Sequence, residues 1–246
     1  MIDLELALTI VGGLIALVSI FTIGTSLWLI AKYSRFNRRE NTLGLTGTQL
    51  ARKILDDHGL SHIAVKRTGS VLFGNSYSHY FKKVRLRSFI RHEESLTSIG
   101  MGAQKAALAI LDKEGDPDMK KRIRLIPLVT FGPFALIPLL TVGVLLDYFV
   151  FGMGGTWTLV FGSLGLVFYA YAIVLSVLTL KTERKAQERA YAILDEEYHL
   201  SAQELDDLRG LFRLYNIQYV NDIILSSLEL LYTILEIAIA IQKHTD

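Results

Sequence analysis

The sequence has no cysteine. Disulfides and thiolate metal sites are therefore excluded, and nothing about redox compartment follows. Proline is scarce, with four residues in 246, and all four stand between 117 and 138. There is no glycine-rich phosphate loop, no zinc-finger spacing and no stacking-aromatic signature. A nucleic-acid partner is not expected. Internal repeats and low-complexity tracts are absent too. Charged residues make up only 20% of the chain.

Apolar residues fill the space that charge leaves. They form 51% of the sequence, and the mean hydropathy is +0.35. Runs of roughly 20 apolar residues, enough for a helix to cross a bilayer, drive an average that high. Segment 6–32 is the first run. A cleaved signal peptide fits it poorly: the run is too long, Asp3 and Glu5 precede it, and the basic residues follow it. Trp28 and Tyr33 stand where interfacial aromatics belong. Segments 125–150, 158–180 and 219–242 are the other expected spans. Pro127, Pro133 and Pro138 lie in or near the second and predict kinks. Residues 152–157 read as a tight turn.

The net charge of +2 hides a strong segregation. Residues 32–124 carry about ten more basic than acidic residues. Lys32, Arg35, Arg38 and Arg39 follow the first span, Lys120 to Arg124 precede the second, and Lys181, Arg184 and Lys185 follow the third. The positive-inside rule puts all of these in the cytoplasm and both termini outside. The expected membrane is the bacterial cytoplasmic one. An anionic leaflet is the expected surface partner of the basic stretch, at about 1 kcal/mol per basic residue held near it.

Two polar regions remain, 33–124 and 181–216. In the first, Thr46 or Thr48 caps a helix through Leu55 that stops at Gly59. Residues 63–65, 71–73 and 80–86 read as short strands. Residues 98–111, SIGMGAQKAALAIL, read as a helix ending near Gly115. In the second region, 183–198 and 201–215 read as two helices, the latter opened by a capping box of Ser201 and Glu204. The expected fold is mainly α: a polytopic integral membrane protein with about four transmembrane helices and a small basic cytoplasmic α+β region.

The order of these segments resembles the YugP-type family of membrane zinc metallopeptidases. The resemblance rests on TGTQLARKILDDHGL (46–60), SYSHYFKKVRLRS (76–88), the helix at 98–111, RIRLIPLVTFGPF (122–134) and LTLKTERKAQERA (178–190). In that family the central helix carries HExxH. Two histidines at i and i+4 share a helix face and bind zinc, and the glutamate acts as base on the metal-bound water. The matching positions here are Gln104 for the first histidine, Lys105 for the glutamate and Leu108 for the second histidine. The resemblance therefore implies a metallopeptidase-like fold that lacks the catalytic and metal residues, with no cofactor. It also places Glu183 where the family has a metal-binding carboxylate on a later helix. The expectation is that Lys105 supplies the missing positive charge and pairs with Glu183; the bland alternative is two solvated charges.

Other chemistry-bearing residues are fewer. His58 and His62 are four apart, but Gly59 breaks the helix between them. His92-Glu93-Glu94 starts like HExxH and lacks the second histidine; it reads as a solvated turn. Asp222, Glu229 and Glu236 share a helix face, with Glu229 the deep one. A proton or cation path is the active reading of that face, and helix packing or a partner contact the favoured one. Glu229-Leu230-Leu231 also has a counterpart in the family.

The function expected from all this is a non-catalytic structural or accessory subunit of a membrane protein complex, with other membrane subunits or a second copy as partner. The alternative is a divergent membrane-bound metallopeptidase or other hydrolase, with Glu183, His79 and His92 as its possible actors. A transporter-like role through Glu229 is a third reading.

Overall fold

Long apolar stretches without internal proline become long helices. In a computed structural model of the chain, residues 3–68, 74–87, 93–129, 135–151 and 155–245 are described. Helix α1 is Leu4–Asn37. Helix α2 is Gly47–Asp57. Three short strands follow: β1 (Ala64–Arg67), β2 (Ser76–Ser78) and β3 (Lys83–Leu86). Helix α3 is Leu96–Glu114 and α4 is Pro117–Val129. Helix α5, Leu136–Leu145, runs into a π-helical turn, Leu146–Phe151. Helices α6 (Thr156–Glu196) and α7 (Ala202–Thr245) complete the chain. The chain divides into two units.

One unit comprises Thr25–Ile123 and Thr179–Gln218. The two polar regions of the sequence thus share one core. Helix α3 forms its centre and is buried from Leu96 to Leu111. A helix covered on all sides must be small and apolar around its circumference, and the alanines and leucines of 103–111 satisfy that. Ser95 caps α3, accepting from the Ser98 N–H, and Gly115 ends it at φ +75, a conformation glycine adopts without penalty. Leu50, Ala51, Ile54 and Leu55 of α2 pack in the same core, with Ala186, Ala190 and Ile193 of α6 and Leu208, Leu211 and Phe212 of α7.

Contact between α2 and α3 is backbone to backbone. A β-carbon at Gly102 would lie 2.4 Å from the Gly47 carbonyl oxygen. The capping box that opens α2 holds Gly47 in place: Thr46 N–H donates to Gln49 Oε1 at 2.8 Å, and Gln49 N–H to Thr46 Oγ1 at 3.3 Å. Thr46, rather than Thr48, is the cap.

The sheet has the order β1-β3-β2, with β1 parallel and β2 antiparallel to β3. Alternation along β3 buries Val84 and Leu86 and turns Lys83 and Arg85 outward. The expected strand at 63–65 is β1, displaced by about one residue, and that at 80–86 shortens to 83–86. Ser76–Ser78 was not expected as a strand, because two serines give no β-propensity signal. The expected strand at 71–73 lies outside the described residues.

Two loops are tied by side chains. Asn41 Nδ2 donates to the carbonyls of Glu94, at 2.6 Å, and Leu45, at 2.9 Å. Glu204, buried in the first turn of α7, accepts from Thr42 N–H at 2.9 Å, Thr42 Oγ1 at 2.7 Å and Ser201 Oγ at 2.6 Å. Burial works to raise the Glu204 carboxyl; the hydrogen bonds from Ser201 and Thr42 outweigh it and hold the group below the usual carboxylate range. Glu204→Ala removes the hydrogen bonds that a charged carboxylate makes to Thr42 and Ser201 and is expected to destabilise this unit by about 1–3 kcal/mol. Thermal unfolding in detergent should show the loss, and Glu204→Gln should show less of it.

The other unit comprises residues 1–24, 124–178 and 219–246. Glycines bring its helices close: a β-carbon at Gly143 of α5 would lie 2.7 Å from the Trp157 carbonyl oxygen of α6. Asp147 caps the start of α6, accepting from Trp157 N–H at 3.0 Å and from Thr158 N–H and Oγ1 at 2.8 Å. Gly155, at φ +94, makes the turn into α6.

Among the described residues, three helices, in α1, α6 and α7, are long and apolar enough to cross a membrane; the next candidate, Leu136–Val150, is shorter. Of segment 125–150, the described residues form the end of α4, to Val129, and α5 with its π-helical turn from Leu136; residues 130–134, with Pro133, lie outside the described residues. One expectation changes. The helices expected at 183–198 and 201–215 are not separate elements. The first continues α6 and the second opens α7, because neither glycine nor proline interrupts 166–196 or 211–245.

Candidate functional site

The site lies where α3, α4 and α6 meet inside the first unit. Gln104 and Lys105 stand mid-way along the buried face of α3, and Glu183 stands on α6 three residues beyond the apolar Leu180. All three side chains are buried. Lys105 Nζ donates to Glu183 Oε2 at 2.7 Å, so the expected lysine–glutamate pair forms. Gln104 Nε2 donates to the same oxygen at 3.0 Å. Arg122 of α4 reaches the other oxygen, Oε1, at 3.4 Å from each terminal nitrogen. Its NH1 also donates to Thr182 Oγ1 at 2.7 Å. Leu108, one turn beyond Gln104, packs in the apolar core.

Both Glu183 oxygens are thus matched by donors. Burial raises the Glu183 carboxyl; Lys105 first, then Arg122, outweigh it and hold it below the usual carboxylate range. Two cations against one carboxylate leave an excess positive charge at a buried position. Further along α6, Lys185 bridges Asp116 at 2.6 Å and Asp118 at 2.8 Å, and Arg189 pairs with Glu114 at 3.0 Å. The segment from Glu183 to Arg189 is laced to the end of α3 and the start of α4.

The arrangement does not fit zinc. The donors are an ammonium, a guanidinium and the NH2 of an amide, and none has a lone pair directed at Glu183. Leucine ligates nothing, and two cations beside the carboxylate repel a third. No group of three or more His, Asp or Glu suited to a metal ion occurs among the described residues.

Other residues singled out from the sequence lie elsewhere. His79 Nδ1 is 2.6 Å from Asp112 Oδ2, and Tyr77 OH donates to the same oxygen at 2.6 Å. Burial and that bond push the Tyr77 hydroxyl up. His92 lies outside the described residues. His58 and His62 form no pair: His58 Nδ1 meets the Ile54 carbonyl at 2.9 Å, Nε2 lies 3.5 Å from Glu197, and His62 is exposed. In the second unit, Asp222, Glu229 and Glu236 all lie on the exposed side of α7, and Glu229 accepts from Tyr169 OH at 2.8 Å. Arg122, Asp112 and Asp116 were missed. Arg122 was read only as one of the cations flanking a span; its spacing gave no sign that it turns inward.

Residues 11–238 match the family described as "Putative neutral zinc metallopeptidase", and the chain belongs to that family. It is similar to "Putative membrane protease YugP" of Bacillus subtilis (strain 168), at 25% identity over 217 residues, which is 87% of this chain and 92% of that protein. No solved structure matches the chain.

Proposed function

We propose that this member of the family is a non-catalytic integral membrane protein that serves as a structural or accessory subunit of a membrane complex. The observation that carries the reading is the buried ammonium of Lys105 bonded to Glu183. It stands at the position where the family resemblance expects the catalytic glutamate, and it makes the carboxylate part of a closed ion-pair network. Gln104 and Leu108, at the positions of the two histidines, offer zinc no imidazole. The basic residues beside the apolar stretches support a cytoplasmic position for the site, in a bacterial inner membrane with both termini outside, next to an anionic leaflet. The partner is another membrane protein or a second copy of this chain.

The test is purification of the full chain in mild detergent, with partner identification, metal analysis and peptidase assay on one sample. Stoichiometric partner chains, no bound zinc and no peptide hydrolysis are expected. Zinc at one equivalent with hydrolysis that Glu183→Gln abolishes would overturn the reading. A second reading, a divergent membrane-bound hydrolase, has one observation in its favour: the His79–Asp112 pair, which fixes the imidazole as an oriented base would be fixed. Hydrolysis lost in His79→Gln, with thermal unfolding unchanged, would select it.

A further inference from the structure

The β2–β3 turn shows two aromatic residues to solvent. Tyr80 is 55% exposed and Phe81 67%. Neighbouring aromatics this bare, outside an apolar span, mark a contact surface. Cations surround them. Lys83 Nζ lies 4.5 Å from the Phe81 ring centroid and the Arg85 guanidinium 5.7 Å. Residues 83 and 85 point outward on β3, and the strand register sets Lys66 of β1 opposite Arg85. The three strands contain no acidic residue. Lys82 completes the turn at φ +44, where glycine or asparagine is the easy choice. A lysine there keeps a charge at a strained position, which points to a use for it.

The turn also has a definite address. Tyr80 OH donates to the Ile123 carbonyl at 2.9 Å, and Ile123 stands two residues before Leu125, where an apolar stretch of the sequence begins. We infer that the β2–β3 turn and the outward face of the sheet rest on the anionic leaflet of the bilayer that holds the chain. Tyr80 and Phe81 enter the interface, and Lys66, Lys82, Lys83 and Arg85 meet lipid phosphates. Aromatic rings with polar or cationic neighbours settle at headgroup depth, and each cation adds attraction to an anionic surface. This rests on the reading that the chain spans a membrane.

The test uses the full chain in nanodiscs of acyl-brominated phosphatidylglycerol, whose bromines quench tryptophan. Trp157→Phe leaves Trp28 as the reporter of α1. Trp28→Phe/Trp157→Phe/Phe81→Trp reports the turn, and Gln203→Trp in the same background reports the exposed start of α7. Quenching at positions 28 and 81 but not 203 is expected, with position 81 released from quenching in Lys66→Gln/Lys83→Gln/Arg85→Gln. Quenching at 28 and not at 81 overturns the inference and leaves the membrane reading intact. No quenching at 28 overturns both. A response at 81 only on adding single-stranded RNA assigns the face to nucleic acid and overturns the inference. In the unaltered chain, amide exchange at 79–82 should be slower in phosphatidylglycerol than in phosphatidylcholine discs; equal rates would count against it.

Discussion

Lys105→Met is expected to destabilise the protein by about 3–5 kcal/mol, the usual result of removing one partner of a buried ion pair. The loss comes less from the missing attraction than from what remains. Glu183 keeps the Gln104 amide and the longer Arg122 contacts, but its shortest partner, at 2.7 Å, is gone. The double variant Lys105→Met/Glu183→Leu removes both charges and should recover much of the loss, since an apolar pair of similar volume often replaces a buried salt bridge without penalty. Arg122 then lacks its carboxylate, so recovery should be greatest when Arg122→Met is added. Thermal unfolding in detergent across the set gives the coupling energy.

The pH dependence has a definite sign. The folded Glu183 carboxyl lies below its ordinary value. Its stabilising contribution is therefore complete above the ordinary glutamate range and is lost as pH falls through the folded value. In Lys105→Met the carboxyl loses its strongest cation, so its folded value rises. The penalty of the substitution should shrink in acid, because a protonated Glu183 no longer needs the ammonium. A penalty that stayed constant from neutral pH to well below the glutamate range would contradict this.

Gly102→Ala is expected to cost about 1–3 kcal/mol, and Gly102→Val more. The added carbon would sit 2.4 Å from the Gly47 carbonyl oxygen, and neither backbone can yield without shifting a helix. At Gly100 the same addition meets Leu208 Cδ2 at 2.5 Å, the end of a side chain that has other rotamers, so Gly100→Ala should cost less. Equal thermal midpoints for the two variants would show that α2 gives way at Gly47.

Much of this arrangement was legible in the residues. Apolar run lengths located the three membrane-length helices, and the alanine-rich pattern located α3. Lys105 and Glu183 could be paired from the sequence because a family resemblance set them in one site and opposite charges buried together must meet. Arg122 could not be found that way. It belongs to a cluster of four cations within 120–124, and only the turn of α4 decides which of them faces α6. In segment 125–150 the prolines predict kinks; Pro138 stands in the first turn of α5, where the missing N–H is tolerated, and Pro133 lies outside the described residues. The continuity of α6 and α7 was missed for a different reason. A change from apolar to polar residues resembles an element boundary, yet a helix backbone is indifferent to it unless glycine or proline intervenes.

The cation that faces Glu183 has a further consequence. A dissociable ion occupies a fold in proportion to its supply, so the stability it confers rises and falls with its free concentration. Lys105 is delivered with every copy of the chain at a fixed effective concentration and cannot be chelated, exchanged or starved. The joint between α3 and α6 is thereby independent of the cell's metal economy, and its strength is set at translation.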